Sequence, residues 1–177
     1  MKIKSTQITG VKLVYQNYIK DKRGFFLENY NLKKINHLFL GNFVQENISL
    51  SVKKNTFRGL HFQKGNFSQD KFISVLRGEI IDYIYDLRSK SKTYKKLLKI
   101  KINEKSRFSI FIPKGCAHGF LTLKANTLVN YKVSNYYNKI YDSGINYKNI
   151  ILDLGKKCII SRKDKNLKLF NKEKKYF

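Results

Sequence analysis

Apolar and polar side chains alternate through the middle of the chain. Leu98, Ile100 and Ile102 are interleaved with Lys99 and Lys101, and Phe108, Ile110 and Ile112 with Ser109 and Phe111, the period of two that marks half-buried strands. Asn103-Glu104-Lys105 supplies the turn between them. Upstream, apolar runs over 71–76 and 80–87 flank Arg77-Gly78-Glu79, which predicts a hairpin because glycine tolerates the backbone angles of a tight turn. Leu128 to Val133 predicts another strand, with Val129, Tyr131 and Val133 on one face. So many short strands in 177 residues imply an antiparallel all-β sandwich or barrel, a jelly roll being one such arrangement.

Helical spacing is confined to the flanks. Asn31 stands where it can cap a segment whose Leu32, Ile35, Leu38 and Phe39 share one side, ending near Gly41. Ser161-Arg162-Lys163-Asp164 predicts a second helix start, with Asp164 at capping-box distance from Ser161, and a lysine-rich tail follows. One proline and no low-complexity tract leave nothing that reads as a linker, so residues 1–177 are expected to form a single domain.

Cys116 and Cys158 are the only cysteines, too few for a disulfide framework, which suits a reducing cytoplasm. Cys116 reads as a packing residue. Lys2, Lys4 and Lys12 break up the first 15 residues, so no secretory leader is expected, and no apolar stretch approaches the roughly 20 residues of a membrane span. The net charge of +25 would ordinarily suggest nucleic acid or an anionic membrane as partner. Here the lysines are scattered, and the abundant Asn, Ile, Phe and Tyr share A/T-rich codons, so neither partner is expected. An anionic substrate is.

Two of the three histidines lie in short segments that mix apolar residues, glycine and fixed positive charge: Phe57-Arg58-Gly59-Leu60-His61-Phe62-Gln63 and Pro113-Lys114-Gly115-Cys116-Ala117-His118-Gly119-Phe120. Such surroundings place a proton-exchanging group in a partly desolvated pocket, as a general base requires. His37, among lysine and asparagine, has no such setting.

Arg58-Gly59-Leu60-His61-Phe62-Gln63, Asp86-Leu87-Arg88 with Ser91 and Thr93-Tyr94, Pro113 to Phe120, Tyr131-Lys132 and Tyr136-Tyr137 together resemble the nucleotide-sugar 3,5-epimerases, the dTDP-4-dehydrorhamnose 3,5-epimerase family. Residues 21–28 and Val44-Gln45-Glu46-Asn47 extend the resemblance, which covers roughly residues 10 to 165. It implies a cupin-like β jelly roll with short flanking helices, usually a homodimer, acting without metal or organic cofactor on a dTDP-linked 4-keto-6-deoxy sugar. It also implies catalytic roles: His61 as base, Asp164 orienting its ring, Tyr131 as the opposing acid and Lys71 beside the developing oxyanion. His118 would assist substrate binding or the same oxyanion. Arg23, Phe25, Glu28, Gln45, Asn47, Arg58, Tyr137, Asp142 and Lys163 match the remaining binding positions, guanidinium groups being suited to phosphate oxygens. Arg88 reads as structural.

The sequence departs from the family pattern at Asp142, commonly glutamate, at Tyr147, commonly tryptophan, and at Asp70, commonly glycine. Two other classes stay open at this point. A metal-dependent cupin would need His61 and His118 to converge with a carboxylate such as Glu79, since no His-x-His pair is present. A non-catalytic sugar-nucleotide or nucleic-acid binding protein would use the same scaffold without turnover.

Overall fold

The computed structural model describes residues 2–38, 41–151, 154–155 and 157–177. Along the chain these form β1 (Lys2–Ser5), β2 (Lys12–Tyr15), β3 (Tyr18–Asp21), β4 (Gly24–Leu27), α1 (Leu32–Ile35), β5 (Gln45–Ser51), β6 (Thr56–Gln63), β7 (Lys71–Arg77) and β8 (Glu79–Asp86). There follow β9 (Leu97–Asn103), β10 (Phe108–Ile112), β11 (Cys116–Thr122), β12 (Thr127–Val133), β13 (Asp142–Gly144), β14 (Ile159–Ile160) and α2 (Arg162–Lys165). One sheet has the order β1-β2-β10-β7-β12-β5 and the other β13-β6-β11-β8-β9, with β14 beside β6. Strands β3 and β4 pair only with each other.

The two large sheets face each other across a core of aliphatic side chains that includes Ile73, Ile80, Ile84, Ile102, Ile110 and Val129. This is the expected all-β jelly-roll architecture. Each sheet also buries part of its outer face. Phe72 and Phe111 point away from the shared core and lie against Ile35 of α1. On the other sheet, Phe57, Leu60, Tyr83, Tyr85 and Leu121 are covered by Ile145, Ile151, Leu154 and Phe170 from the last part of the chain. Burying each such large apolar side chain contributes about 1.5–3 kcal/mol relative to exposure.

The predicted 71–87 hairpin does not form. Strand β7 hydrogen-bonds to β10 and β12, whereas β8 hydrogen-bonds to β9 and β11 in the opposite sheet. Gly78, at φ +86°, carries the chain between them, and a Cβ there would stand 2.4 Å from Thr127 Oγ1. Two apolar strands flanking a glycine satisfy the period-two pattern equally well side by side or face to face across a core; the pattern does not separate these cases. Strands β9 and β10, joined by the predicted turn, likewise lie in different sheets.

The first helix is shorter than its periodicity suggests: one turn over Leu32–Ile35 and a 3-10 turn over Asn36–Leu38. Asn31 occupies the N-cap position in extended geometry but its side chain makes no capping bond, and Phe39 lies outside the described residues. Burial of Ile35, not capping, holds this segment, since a single isolated turn is unstable. The second helix starts where expected, Ser161 Oγ accepting from the Asp164 amide at 3.0 Å.

Arg88 is structural, as its sequence context suggests. Buried Asp86 accepts from the Arg88 amide, Nε and Nη2 at 2.8–3.0 Å and from the Ser91 and Thr93 hydroxyls at 2.7 Å. Arg88 also donates to the Thr9 carbonyl at 2.6 Å, tying the first strands to the 86–93 loop. Burial alone would raise the Asp86 carboxyl, but Arg88, Ser91 and Thr93 outweigh it and hold the group below its ordinary value. The unfolded chain therefore takes up this proton at higher pH than the folded one, and the stabilisation disappears as pH falls from the ordinary carboxylate range through the lowered native value. Asp86→Ala is expected to destabilise by about 3 kcal/mol, because it strands a half-buried guanidinium; urea unfolding at pH 7 checks this.

Candidate active site

Strands β6 and β11 run side by side with His61 and His118 as register partners. Their approach is unusually close: a Cβ on Gly59 would lie 2.5 Å from Gly119 Cα, and one on Gly119 would lie 2.6 Å from the Arg58 carbonyl. Only glycine fits both positions, and that contact sets the two histidines beside each other. From the opposite sheet, β7 delivers Lys71 and β12 delivers Tyr131. All four, with Arg58 and Asp164, line a cavity of about 530 Å³ between the sheets.

His61 Nε2 lies 3.0 Å from Asp164 Oδ1, and the Gly59 amide donates to Asp164 Oδ2 at 3.1 Å. Asp164 is only 4% exposed. Burial pushes its carboxyl upward, but the His61 bond and charge, the Gly59 amide and the Ser161 hydroxyl prevail and keep it below the usual value. An ionised carboxylate only accepts, so His61 Nε2 carries hydrogen, and in the neutral ring Nδ1 is the free base. The capping and orienting roles of this segment are not rivals: the Ser161 cap places Asp164, and Asp164 holds His61. Ser161→Ala is expected to cost about 1 kcal/mol in urea unfolding, as lost caps do, and to lower turnover by loosening Asp164.

Lys71 opens β7 and is buried, its Nζ donating to the His61 carbonyl at 3.4 Å. Burial lowers its ammonium from 10.5 to about 8, while Asp142 and Asp82 oppose the shift. Asp70, the departure from glycine, anchors this strand start. It accepts from the Lys114 amide at 2.9 Å and the Ser134 hydroxyl at 3.0 Å, so it fixes the position of Lys71 rather than loosening it. Tyr131 shares its inward face with buried Val129 and Val133. Burial raises its phenol and the nearby Arg58 charge partly offsets this. Arg58 itself is held by the Leu50 carbonyl at 3.1 Å and Ser51 Oγ at 3.2 Å.

A second cavity of about 330 Å³ adjoins the first, sharing His61, Lys71, Tyr131 and Lys163. Gln45, Asn47, Tyr137 and Asp142 line it. Gln45 is set by a 2.9 Å bond to Asn47 Oδ1 and accepts from the Tyr137 amide at 2.9 Å. Asp142 Oδ2 accepts from Lys163 Nζ at 2.5 Å and from the Tyr137 hydroxyl at 3.2 Å.

Three residues singled out by resemblance stand elsewhere. Arg23 and Phe25 belong to the exposed β3–β4 hairpin, where Arg23 pairs with Asp21 at 2.6 Å and Phe25 stacks on Tyr18. Glu28 pairs with Lys34 at 2.6 Å. None of the three lines the cavities around His61. Glu79 faces Lys101 and Asn103, and among the described residues no three His, Cys, Asp or Glu side chains converge as a metal-ligand group. The sequence reading overlooked Asp82, which bonds to His118, and the apolar wall formed by Phe120, Ile159 and Ile160. A signal for Asp82 was present: it interrupts the inward-facing series Ile80, Asp82, Ile84 of an otherwise apolar strand.

The arrangement sets a carboxylate-backed imidazole on one wall, a phenol on the facing wall and a buried ammonium nearby. Such a site can take a proton from carbon, carry charge on an adjacent oxygen and return a proton from the other side. Residues 5–172 match the family model described as dTDP-4-dehydrorhamnose 3,5-epimerase. The chain is 39% identical to the enzyme of that name from Methanothermobacter thermautotrophicus, over 92% of this chain and 91% of the relative. It is 37% identical to the Escherichia coli enzyme of the same name, over 94% and 93%. Among solved structures, that of the Bacillus anthracis dTDP-4-dehydrorhamnose 3,5-epimerase with TDP and PPi bound superposes with a TM-score of 0.90 at 40% identity, covering 96% of this chain and 99% of that one. The Legionella pneumophila dTDP-6-deoxy-D-glucose-3,5-epimerase in complex with dTDP-4-keto-L-rhamnose gives 0.89 at 35% identity, covering 95% and 92%. No described helix is long and apolar enough to cross a membrane.

Proposed function

Because this chain belongs to the dTDP-4-dehydrorhamnose 3,5-epimerase family, we propose that it is an epimerase that inverts C3 and C5, or one of them, in a dTDP-linked 4-keto-6-deoxyhexose. The observation that carries the reading is the one cavity that joins His61 of one sheet, backed by Asp164 of α2, to Tyr131 and Lys71 of the other sheet. The C4 carbonyl acidifies the hydrogens on C3 and C5. His61 Nδ1 takes one of them, the C–H electron pair moves onto the C4 oxygen, and the Lys71 ammonium stabilises the resulting enolate. Tyr131 then delivers a proton to the opposite face, and solvent restores both groups. The chemistry is redox-neutral and balances without a cofactor. Arg58 and Lys163 bind the diphosphate, with Gln45 and Asn47 beside them, while Tyr137 and Asp142 receive the nucleoside. His118 contributes to the oxyanion side.

Residues 1–177 work as one domain. The free thiols of Cys116 and Cys158 fit a reducing cytoplasm, where the product would enter deoxysugar synthesis. We read the functional unit as a homodimer. Edge strand β5 exposes Ile48 and Leu50, the hairpin exposes Ile19, Phe25 and Phe26, and pairing copies along these surfaces would cover apolar side chains that one chain leaves in water. A hairpin reaching the neighbouring copy would also bring Arg23 and Phe25 to a cavity they do not reach within one chain. Sedimentation equilibrium is expected to give twice the 20.9 kDa chain mass; a monomer at micromolar concentration would sink this part of the reading.

The test of the activity is NMR of dTDP-4-keto-6-deoxyglucose incubated with the protein in deuterated water. Deuterium at both C3 and C5 establishes double epimerisation, and label at one carbon a single-centre enzyme. Absence of exchange at either removes the dTDP-hexose assignment.

A further inference from the structure

Gln63 ends the motif that contains His61, two residues away on the same strand, and the chemistry given above does not use it. Its side chain is 4% exposed. Its Nε2 donates to the Phe67 carbonyl at 2.8 Å and the Tyr136 carbonyl at 3.0 Å, while its Oε1 accepts from the Asn138 amide at 2.6 Å. These partners fix which way round the amide stands, since reversal would set its oxygen against two carbonyls. Two of the three bonds bracket Tyr137, whose own amide donates to Gln45 Oε1 at 2.9 Å. The backbone of Gln63 is the register partner of Asp142, and the Asp142 amide donates to the Asn138 carbonyl at 2.9 Å. One buried amide therefore ties the strand of His61 to the 64–70 loop that leads into Lys71 and to the segment that carries Tyr137 and Asp142.

We propose that Gln63 is a positioning residue for nucleotide recognition: it holds Tyr137 and Asp142 at a fixed place relative to His61, so that a nucleoside received there carries its sugar to the base. The inference rests on the epimerase reading given above, which assigns those two side chains to the nucleoside. The 134–141 loop needs such a clamp. Tyr136, Tyr137 and Ile140 are each more than half exposed, so hydrogen bonds rather than burial set its conformation. Gln69 Nε2 donates to the Asn135 carbonyl at 2.7 Å and Asn135 Nδ2 to the Asn66 carbonyl at 2.7 Å, but both act before Tyr137. Gln63 acts on either side of it. Its loss would loosen the nucleoside contact and leave the His61–Asp164 pair, Lys71 and Tyr131 in place.

Gln63→Met keeps the length of the side chain and removes all three bonds. With dTDP-4-keto-6-deoxyglucose as substrate, this variant is expected to raise KM, and the calorimetric Kd for dTDP, by roughly 10-fold each, with kcat within about threefold of wild type. Tyr137→Ala should raise both constants as well, and adding Gln63→Met to it is expected to raise them no further, because both changes act through one contact. A residue that only stabilised the fold would lower the urea midpoint and leave KM and the dTDP Kd of the folded enzyme unchanged. That result, or multiplying losses in the double variant, overturns the proposal and leaves the epimerase reading standing. Wild-type protein that neither exchanges deuterium into this substrate nor binds dTDP removes both. Should Gln63→Met not fold, amide hydrogen exchange on the wild type decides. The Asn138 amide is expected to exchange as slowly as the paired amides of β12, and exchange at the rate of an open loop refutes the clamp.

Discussion

His61→Ala is expected to abolish measurable exchange of the C3 and C5 hydrogens into deuterated water, a loss of roughly 10³-fold or more in kcat, while the protein stays folded. The size follows from what the substitution removes. In the proposed mechanism His61 accepts the carbon-bound proton, and the Asp164 carboxylate behind it loses the partner at 3.0 Å that helps hold it ionised. Alanine leaves a small void at the cavity wall, not in the aliphatic core, so unfolding in urea should shift far less than activity does. Asp164→Asn separates the two contributions. It keeps the His61 ring but replaces the pure acceptor by an amide that can present N–H, which permits the unproductive tautomer. Activity should fall less than in His61→Ala, and the double variant should match His61→Ala alone. Wild-type exchange rates in His61→Ala would remove this residue from the mechanism.

The second large effect concerns Lys71, and stability and activity move in opposite directions. Burial lowers its ammonium to about 8, against an ordinary value of 10.5. The unfolded chain therefore binds this proton more tightly than the folded one. As pH falls from 10.5 to 8 folding loses stability, and below pH 8 the full penalty is present. Lys71→Met, apolar and of similar length, should then be more stable than wild type at pH 7, by on the order of 3 kcal/mol, the free-energy equivalent of that shift. The same variant should lose roughly 10²–10³ in kcat, the typical consequence of removing one preorganised oxyanion-stabilising group. In the wild type, kcat/KM should decline above about pH 8 as the ammonium deprotonates, and this limb should move upward in Lys71→Arg. Urea unfolding at pH 7 and 10 with exchange rates over the same range tests both halves. A destabilised, active Lys71→Met would mean that the lysine is a structural residue.

Such a trade-off is how a functional residue betrays itself in a core. Lys71, Asp82, His118 and Asp164 are all buried in a chain where apolar residues are plentiful, and each faces the same cavity or a residue that does. The remaining buried carboxylate of note, Asp86, differs in kind. Every oxygen has a donor, its partners hold a loop to the first strands, and the structure therefore explains it through stability alone.

Much of the molecule was legible before folding. The period-two alternation of 98–102 and 108–112 set two strands and their turn, because a half-buried strand must place apolar groups on alternate sides. The histidine-bearing segments 57–63 and 113–120 pointed to proton transfer, and together with Tyr131-Lys132 and Tyr136-Tyr137 they carried the family resemblance that implied the reaction and the role of Asp164. Strands β6 and β11 were harder to see: β11 is buried on both faces and so has no polar positions to alternate with. Sheet partners were not legible either. Apolar strands around Gly78 satisfy the same pattern whether they pair laterally or face each other, and only packing of all strands at once chose the second. Nor does spacing along the chain say that Asp164 reaches His61, or that Asp82 stands behind His118. The residue types were determined locally by the sequence, and the reaction class followed from the family resemblance that their motifs carry. Family resemblance pointed to the Asp164–His61 pair, but only tertiary structure forms it and sets Asp82 behind His118, because those bonds join distant segments and exist only once two sheets close over a common core.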